Sequence, residues 1–307
     1  MSKRHGFAGL FLLFLGLCVV LAASCATTPR VAEKEMTPES RLPSGAIAYG
    51  FANAPHLKTV IQDVYPDLMG DKNAAQFVDK CDYAVFGVYQ DAADGEKPAS
   101  QNYFLITRGT YPASSYNFAL GLSPNWKKVT IDGKKWWRQG TVALSIEKNE
   151  AYIQIGRTPD QTTPAAPNEE FGVFFADARR EREAGTPPAF ACYVPSSETA
   201  GLIRRLGIPF DITLQHITLT VSPDSQAAPY RSTLSLKTRS PSEAKALSAI
   251  LSLARATIGK RIPPNAANAL LTELLFANPP ALDSGGSTVI ISGTFPLNAL
   301  IPALKRP

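Results

Sequence analysis

Two stretches decide the fold: Tyr103-Phe-Leu-Ile-Thr107-Arg108 leading to Pro112, and Leu234-Ser-Leu-Lys-Thr238-Arg239 leading to Pro241. Each is a strand-like run closed by Thr-Arg, after which a proline opens a helical pattern. In the second, apolar and polar residues alternate, which places Leu234 and Leu236 on one inward face of a strand over 230–238. Proline suits the first position of a helix, where its missing N–H has no helical acceptor to lose. Beyond Pro241, Leu247, Ile250, Leu251, Ala254 and Ile258 recur at offsets of three and four, which predicts a helix over 242–258. Beyond Pro112, Tyr116, Ala119 and Leu120 predict one over 112–122. The order strand, loop, strand, helix occurs twice at similar length and points to a duplicated α/β unit. The alternative is a chance likeness between common α/β patterns.

Outward from these stretches, 82–89 reads as the hairpin partner of 102–108 across the polar loop Asp91-Ala-Ala-Asp-Gly-Glu-Lys-Pro. Residues 134–146 read as one strand, paired with 150–155 across Lys148-Asn149. Further strands are expected at 190–194, at 212–221 with a slip at His216, and at 287–295. Helices are expected at 57–68 (Leu57, Val60, Ile61, Val64 and Leu68 on one stripe, Pro66 disturbing the last turn), at 266–276 and at 297–304. Another is expected at 196–206, capped by Ser196 or Ser197 with Glu198 in its first turn. Residues 171–176 are short and apolar, and 178–183 strongly charged. The stretch 156–168, dense in Thr, Pro and Gln, reads as the boundary between halves. The expected class is α+β: antiparallel sheets of hairpins with helices packed on one face, in halves 45–160 and 161–307.

The amino terminus has a different logic. Lys3, Arg4 and His5 form a basic start, and an apolar run of about 15 residues follows to Leu21. A lasting bilayer span needs roughly 20 residues, so the run fits a secretion signal. The small residues Ala22, Ala23 and Ser24 precede Cys25. This stretch resembles the lipobox of bacterial lipoproteins, although Leu21 stands one position further from the cysteine than usual. The resemblance implies cleavage after Ser24 and a diacylglyceryl group on the Cys25 thiol. The alternatives are an ordinary signal cut near Ala23 and an uncleaved anchor helix. Residues 25–44, rich in Ala, Thr, Pro, Glu and Lys, read as a flexible tether.

Without residues 1–24 the formal charge of +5 falls by the two charges of Lys3 and Arg4 to +3. The cations are dispersed, which argues against a nucleic-acid partner. Cys81 and Cys192 are a candidate disulfide in an oxidising compartment, the alternative being two buried thiols. No cysteine or histidine spacing suits a metal, and no cofactor motif occurs. His56 and His216 stand apart from other ligands. A Gly-x-Ser-x-Gly elbow, a P-loop and a dinucleotide turn are all absent, so catalysis has no sequence support.

Two features remain. Trp126, Trp136 and Trp137 fall within twelve residues, among Lys127, Lys128, Lys134, Lys135 and Arg138. Tryptophan favours sites that are apolar at one end and wet at the other, such as a membrane surface, with lysines meeting phosphate headgroups. A core hairpin with lysines outside explains the same pattern. The second feature is the carboxyl-terminal helices: Leu247, Ile250 and Leu251 in one, and Leu270, Leu271, Leu274, Leu275 and Phe276 in the other. The second of them offers more apolar surface than one narrow seam needs.

With the lipobox residues Ala22-Ala23-Ser24-Cys25, the chain length and these apolar helices, the sequence resembles treponemal (spirochaetal) lipoproteins. That resemblance implies an α/β/α fold at the outer membrane, amphipathic helices that enter the inner leaflet, and lipid carriage. Only Cys25 carries over as a site residue. The expected function is a membrane-anchored periplasmic lipoprotein that binds lipid or another apolar ligand between sheet and helices. The alternative is an adaptor that binds another envelope protein, with 266–276 as the partner surface.

Overall fold

The computed structural model describes residues 37–56, 58, 72–90, 101–131, 133–156, 169–183, 188–205, 214–223, 230–258 and 278–295. The helices expected at 57–68, 266–276 and 297–304 lie outside these residues, apart from Lys58. Two compact units meet in sequence between Ala176 and Asp177. The boundary expected over 156–168 lies outside the described residues beyond Gly156.

In the first unit, β1 (Ala48–Asn53), β2 (Cys81–Gln90), β3 (Gln101–Gly109), β4 (Lys127–Ile131), β5 (Lys134–Gln139), β6 (Val142–Ile146) and β7 (Glu150–Ile155) form an antiparallel sheet. Its order is β1-β2-β3-β7-β6-β5-β4. Helix α1 (Lys72–Lys80) lies between β1 and β2 in sequence, and α2 (Ala113–Leu122) follows β3. A third helix, α3 (Glu169–Glu183), runs across the boundary between the units. The second unit holds β8 (Phe190–Pro195), α4 (Ser196–Arg205), β9 (Leu214–Pro223), β10 (Tyr230–Thr238), α5 (Pro241–Ile258), β11 (Ala281–Leu282) and β12 (Thr288–Phe295). Its antiparallel order is β8-β9-β10-β12-β11.

The chain is α+β, and the duplication read from the two Thr-Arg stretches exists as topology. In the first unit β1 pairs with β2, β2 with β3 and β3 with β7. In the second, β8 pairs with β9, β9 with β10 and β10 with β12. Each set is a four-stranded antiparallel sheet, with a helix after its first strand and another after its third. Strands β4–β6 are an addition that follows α2. Both threonines that marked the pattern are buried at the ends of equivalent strands. The Thr107 hydroxyl donates to the Ala151 carbonyl and that of Thr238 to the Ser287 carbonyl.

Alternation explains how the first sheet is filled. Leu105, Ile153, Leu144 and Trp137 lie in register on one face, the face of α2. Ile106, Tyr152 and Ser145 lie on the other. All six residues of β7 are buried, so both faces are covered. Helix α1 joins α2 on the first face, where Phe77 stacks on Tyr111 at 4.9 Å between ring centroids. The opposite face takes the segment 37–46, with a helical turn at Pro38–Arg41. Both the Tyr89 and the Tyr49 hydroxyl donate to the Pro43 carbonyl, and Leu42 is wholly buried. Burying a side chain of that size contributes roughly 1.5–3 kcal/mol.

Some elements depart from expectation. The run 134–146 is two strands, β5 and β6, because Gly140 takes a φ of 57° and turns the chain. Residues 171–176 and 178–183 belong to one helix, α3. Strands β1 and β4 and helix α1 were not anticipated. In β1, Gly50 sits opposite Phe86, whose ring lies across it. A Cβ there would approach the ring to 2.1 Å, so only glycine fits.

Candidate functional site

Helix α5 begins as its sequence directs. The Glu243 N–H donates to the Ser240 hydroxyl, and the Glu243 carboxylate accepts from the Arg239 N–H at 3.0 Å. This is a capping box, with its return bond moved one residue outward. The helix then divides into two sides. Ala244 and Leu247 pack into a core with Leu214, Ile217 and Val289, and Leu251, Leu234 and Leu236 close around it. On the far side Ala246, Ala249, Leu253 and Ala256 are exposed. Leu253 presents 66 % of its surface. The far side thus carries one large apolar residue, Leu253, among alanines and the exposed Ser242, Lys245 and Ser252.

Helix α2 repeats this arrangement in the first unit. Tyr116 and Leu120 are buried, while Phe118 and Leu122, one turn apart, are 69 % and 70 % exposed. The flank beside them is fixed on Trp137. Asn117 accepts from the Trp137 indole N–H at 2.7 Å and donates to the Ile146 carbonyl at 3.1 Å. Gly121 lies against the same ring, since a Cβ on it would stand 3.3 Å away. Phe118 and Leu122 on one of these topologically equivalent helices and Leu253 on the other therefore point outward while the inner sides are already packed.

A buried charge cluster occupies the other face of the first sheet. Glu150 receives a forked interaction from Arg41, one arm 2.6 Å long, and a bond from Arg108 at 2.7 Å. The Tyr152 hydroxyl donates to Glu150 at 2.7 Å and accepts from Arg41. Burial alone would raise the Glu150 carboxyl, but its bonds from Arg41, Tyr152 and Arg108 outweigh that and hold it below its ordinary value. Burial, helped by the neighbouring Glu150, pushes the Tyr152 phenol up. Lys134 sits over the Tyr152 ring at 2.8 Å from its centroid and pairs with Glu147 at 2.9 Å. Burial lowers its ammonium against the pull of Glu147. The cluster fastens the helical turn at Pro38–Arg41 to the sheet.

The cysteine expectation changes. Cys81 and Cys192 are free, buried thiols, and burial pushes each up to about 12. Thiolate is the reactive form, so both should resist alkylation in the native protein near pH 8 and react fully in denaturant. Mass spectrometry after iodoacetamide checks this, and rapid native labelling of either would contradict their burial.

Of the residues first assigned to apolar contact, Leu247 is core, Leu251 closes that core and Ile250 is partly buried. Trp126, Trp136 and Trp137 are buried to within 4–6 %, so they form a hairpin core and not an interfacial belt. Leu270, Leu271, Leu274, Leu275, Phe276 and Cys25 lie outside the described residues. Leu253, Phe118 and Leu122 were missed. Their signal was a large apolar residue off the inward stripe of a helix. Among the described residues no group of three or more His, Cys, Asp or Glu side chains is placed to hold a metal. Nor is any described helix long and apolar enough to cross a membrane.

The sequence matches no protein-family model and no curated protein. The fold has solved counterparts in TP0453, a treponemal protein. Its crystal form IV superposes with a TM-score of 0.56 at 15 % identity, over 89 % of this chain and 98 % of that one. Crystal form III gives 0.54 at 14 % identity, over 89 % and 99 %.

Proposed function

We propose that this chain is a lipoprotein of the cell envelope, held at the outer membrane on its periplasmic side by an acylated Cys25, which binds lipid and meets the bilayer through the outer faces of α2 and α5. The observation that carries this reading is the outward placement of Phe118, Leu122 and Leu253 on helices whose inner sides are already filled. Apolar surface left in water gains roughly 25 cal/mol per Å² when it is buried. For a chain tethered by acyl groups, the nearest apolar phase is the membrane, at high effective concentration. The lipobox resemblance of the amino terminus and the fold in common with TP0453 support the same reading. The action is burial of acyl chains against helix surfaces, without covalent chemistry.

The test is vesicle flotation of the chain from residue 26 onward, which lacks both the apolar leader and the proposed lipid attachment point. It should rise with phosphatidylcholine vesicles. Leu253→Glu should weaken that binding roughly ten-fold or more, the equivalent of one large side chain withheld from burial. A protein that stays at the bottom of the gradient defeats the reading.

A further inference from the structure

Beside its exposed helix the first unit carries a run of cations. Between Trp126 and Ile146 the sequence holds Lys127, Lys128, Lys134, Lys135 and Arg138 against a single carboxylate, Asp132. Lys134 is turned to Glu147 and the Tyr152 ring. The other four are exposed. Register places them closely: Lys127 is opposite Arg138, and Lys128 is opposite Trp137. Lys135 and Trp137 share a face of β5, with the Lys135 ammonium 5.8 Å from the Trp137 ring centroid.

Trp137 is also the residue on which α2 rests, through Asn117 and Gly121. Lys128 and Lys135 therefore lie on the α2 side of the sheet, next to the flank from which Phe118 and Leu122 project. The outcome is an apolar ridge of two large side chains beside two lysines, with Lys127 and Arg138 on the opposite face of the same two strands. In α5 the side chains flanking Leu253 are alanine and serine. Lysines on an outer strand also discourage edge-to-edge pairing. That role needs charge on the strand but does not need Phe118 and Leu122 exposed beside it.

We infer that the β4–β5 end of the first unit, with α2, is a contact surface for anionic phospholipid: Phe118 and Leu122 enter the acyl boundary while Lys128 and Lys135 meet headgroup phosphates. Charge complementarity identifies the occupant. An apolar protein partner would match the ridge but leave two ammonium groups facing it, whereas an anionic bilayer presents acyl chain and negative charge a few ångströms apart in depth. Each basic side chain near such a surface strengthens binding roughly five-fold.

This inference rests on the bilayer contact proposed above, and its test separates the two. The chain from residue 26 onward is floated with phosphatidylcholine vesicles and with phosphatidylcholine–phosphatidylglycerol vesicles. The expected result is markedly tighter binding to the second, abolished in about 1 M salt, where the Debye length is about 3 Å. Lys128→Gln with Lys135→Gln should cost roughly 25-fold on the anionic vesicles and leave neutral vesicles unaffected. Both lysines are exposed, so the melting temperature should be unchanged. If the double variant nonetheless melts early, Lys128→Arg with Lys135→Arg, which keeps the charge, must keep the preference. Equal binding to the two vesicle types, or a preference that survives the glutamine pair, overturns the anionic site and leaves the bilayer contact standing. Binding to neither defeats both.

Discussion

Replacing Glu150 by glutamine is expected to lower stability by about 3 kcal/mol and the melting temperature by about 6–12 °C. Glu150 balances Arg41 and Arg108 in one buried cluster, and its side chain is 7 % exposed. Removing one partner of a buried pair costs roughly 3–5 kcal/mol, because the opposite charge stays buried without compensation. The lower end applies because both arginines keep 23 % of their surface in water. The substitution is nearly isosteric, so packing changes little and the loss is electrostatic. The amide would still accept from one guanidinium, but without the charge. Thermal unfolding monitored by circular dichroism measures the effect, and coincident curves for the two proteins at neutral pH would rule it out.

The pH dependence of the same residue has a definite sign. The folded carboxyl titrates below its ordinary value of 4.5, so on acidification the unfolded chain takes up this proton first. The contribution is therefore complete above the ordinary value and is lost as pH falls through the lower folded one. The difference between native protein and Glu150→Gln should be constant near neutrality and shrink below about pH 4.5. A difference that grew on acidification would mean that Glu150 is stabilised in its neutral form, against the geometry around it.

What the sequence disclosed followed from the strength of each local signal. The β9–β10 hairpin was legible because its sheet has an apolar face and a hydroxyl-rich one. Leu219, Leu234 and Ile291 align on the first, and Thr220, Thr233 and Ser292 on the second, which writes a period of two into the chain. In β1 five of the six residues are buried, and Gly50 gives way to the Phe86 ring, so neither alternation nor β-branching marks it. The β5–β6 turn was lost because Arg138-Gln139-Gly140-Thr141, between Trp136-Trp137 and Val142-Ala143-Leu144, holds one glycine and reads equally well as the solvent side of a single strand. The charge cluster was beyond reading, since Arg41 and Glu150 stand 109 residues apart and meet only once the segment 37–46 crosses the sheet. Periodicity found the apolar stripe of α5 but not its direction. A repeat of three and four says which residues share a side, and it is silent on whether that side meets a sheet or a membrane.

Direction along α5 is the question on which the functional reading turns, and a pair of alanine substitutions answers it. Leu247→Ala should destabilise the protein by about 3 kcal/mol, within the range for a leucine removed from a packed core. Its side chain is 4 % exposed among Leu214, Ile217 and Val289, on two strands that both pair with β10 and leave little freedom to collapse into the vacated space. Leu253→Ala, six residues on and 66 % exposed, should change stability by less than about 0.5 kcal/mol. Vesicle binding should respond in the opposite order: Leu253→Ala weakens it, while Leu247→Ala, compared at a temperature where it is fully folded, leaves it intact. Urea unfolding supplies the first half of this comparison and flotation the second. The crossing of the two orders is the informative outcome, because a residue that matters to the membrane and not to the fold must lie on a surface the fold does not use. If Leu253→Ala instead proved the more destabilising, α5 would have its other side toward the sheet, and the apolar surface assigned to lipid would be core.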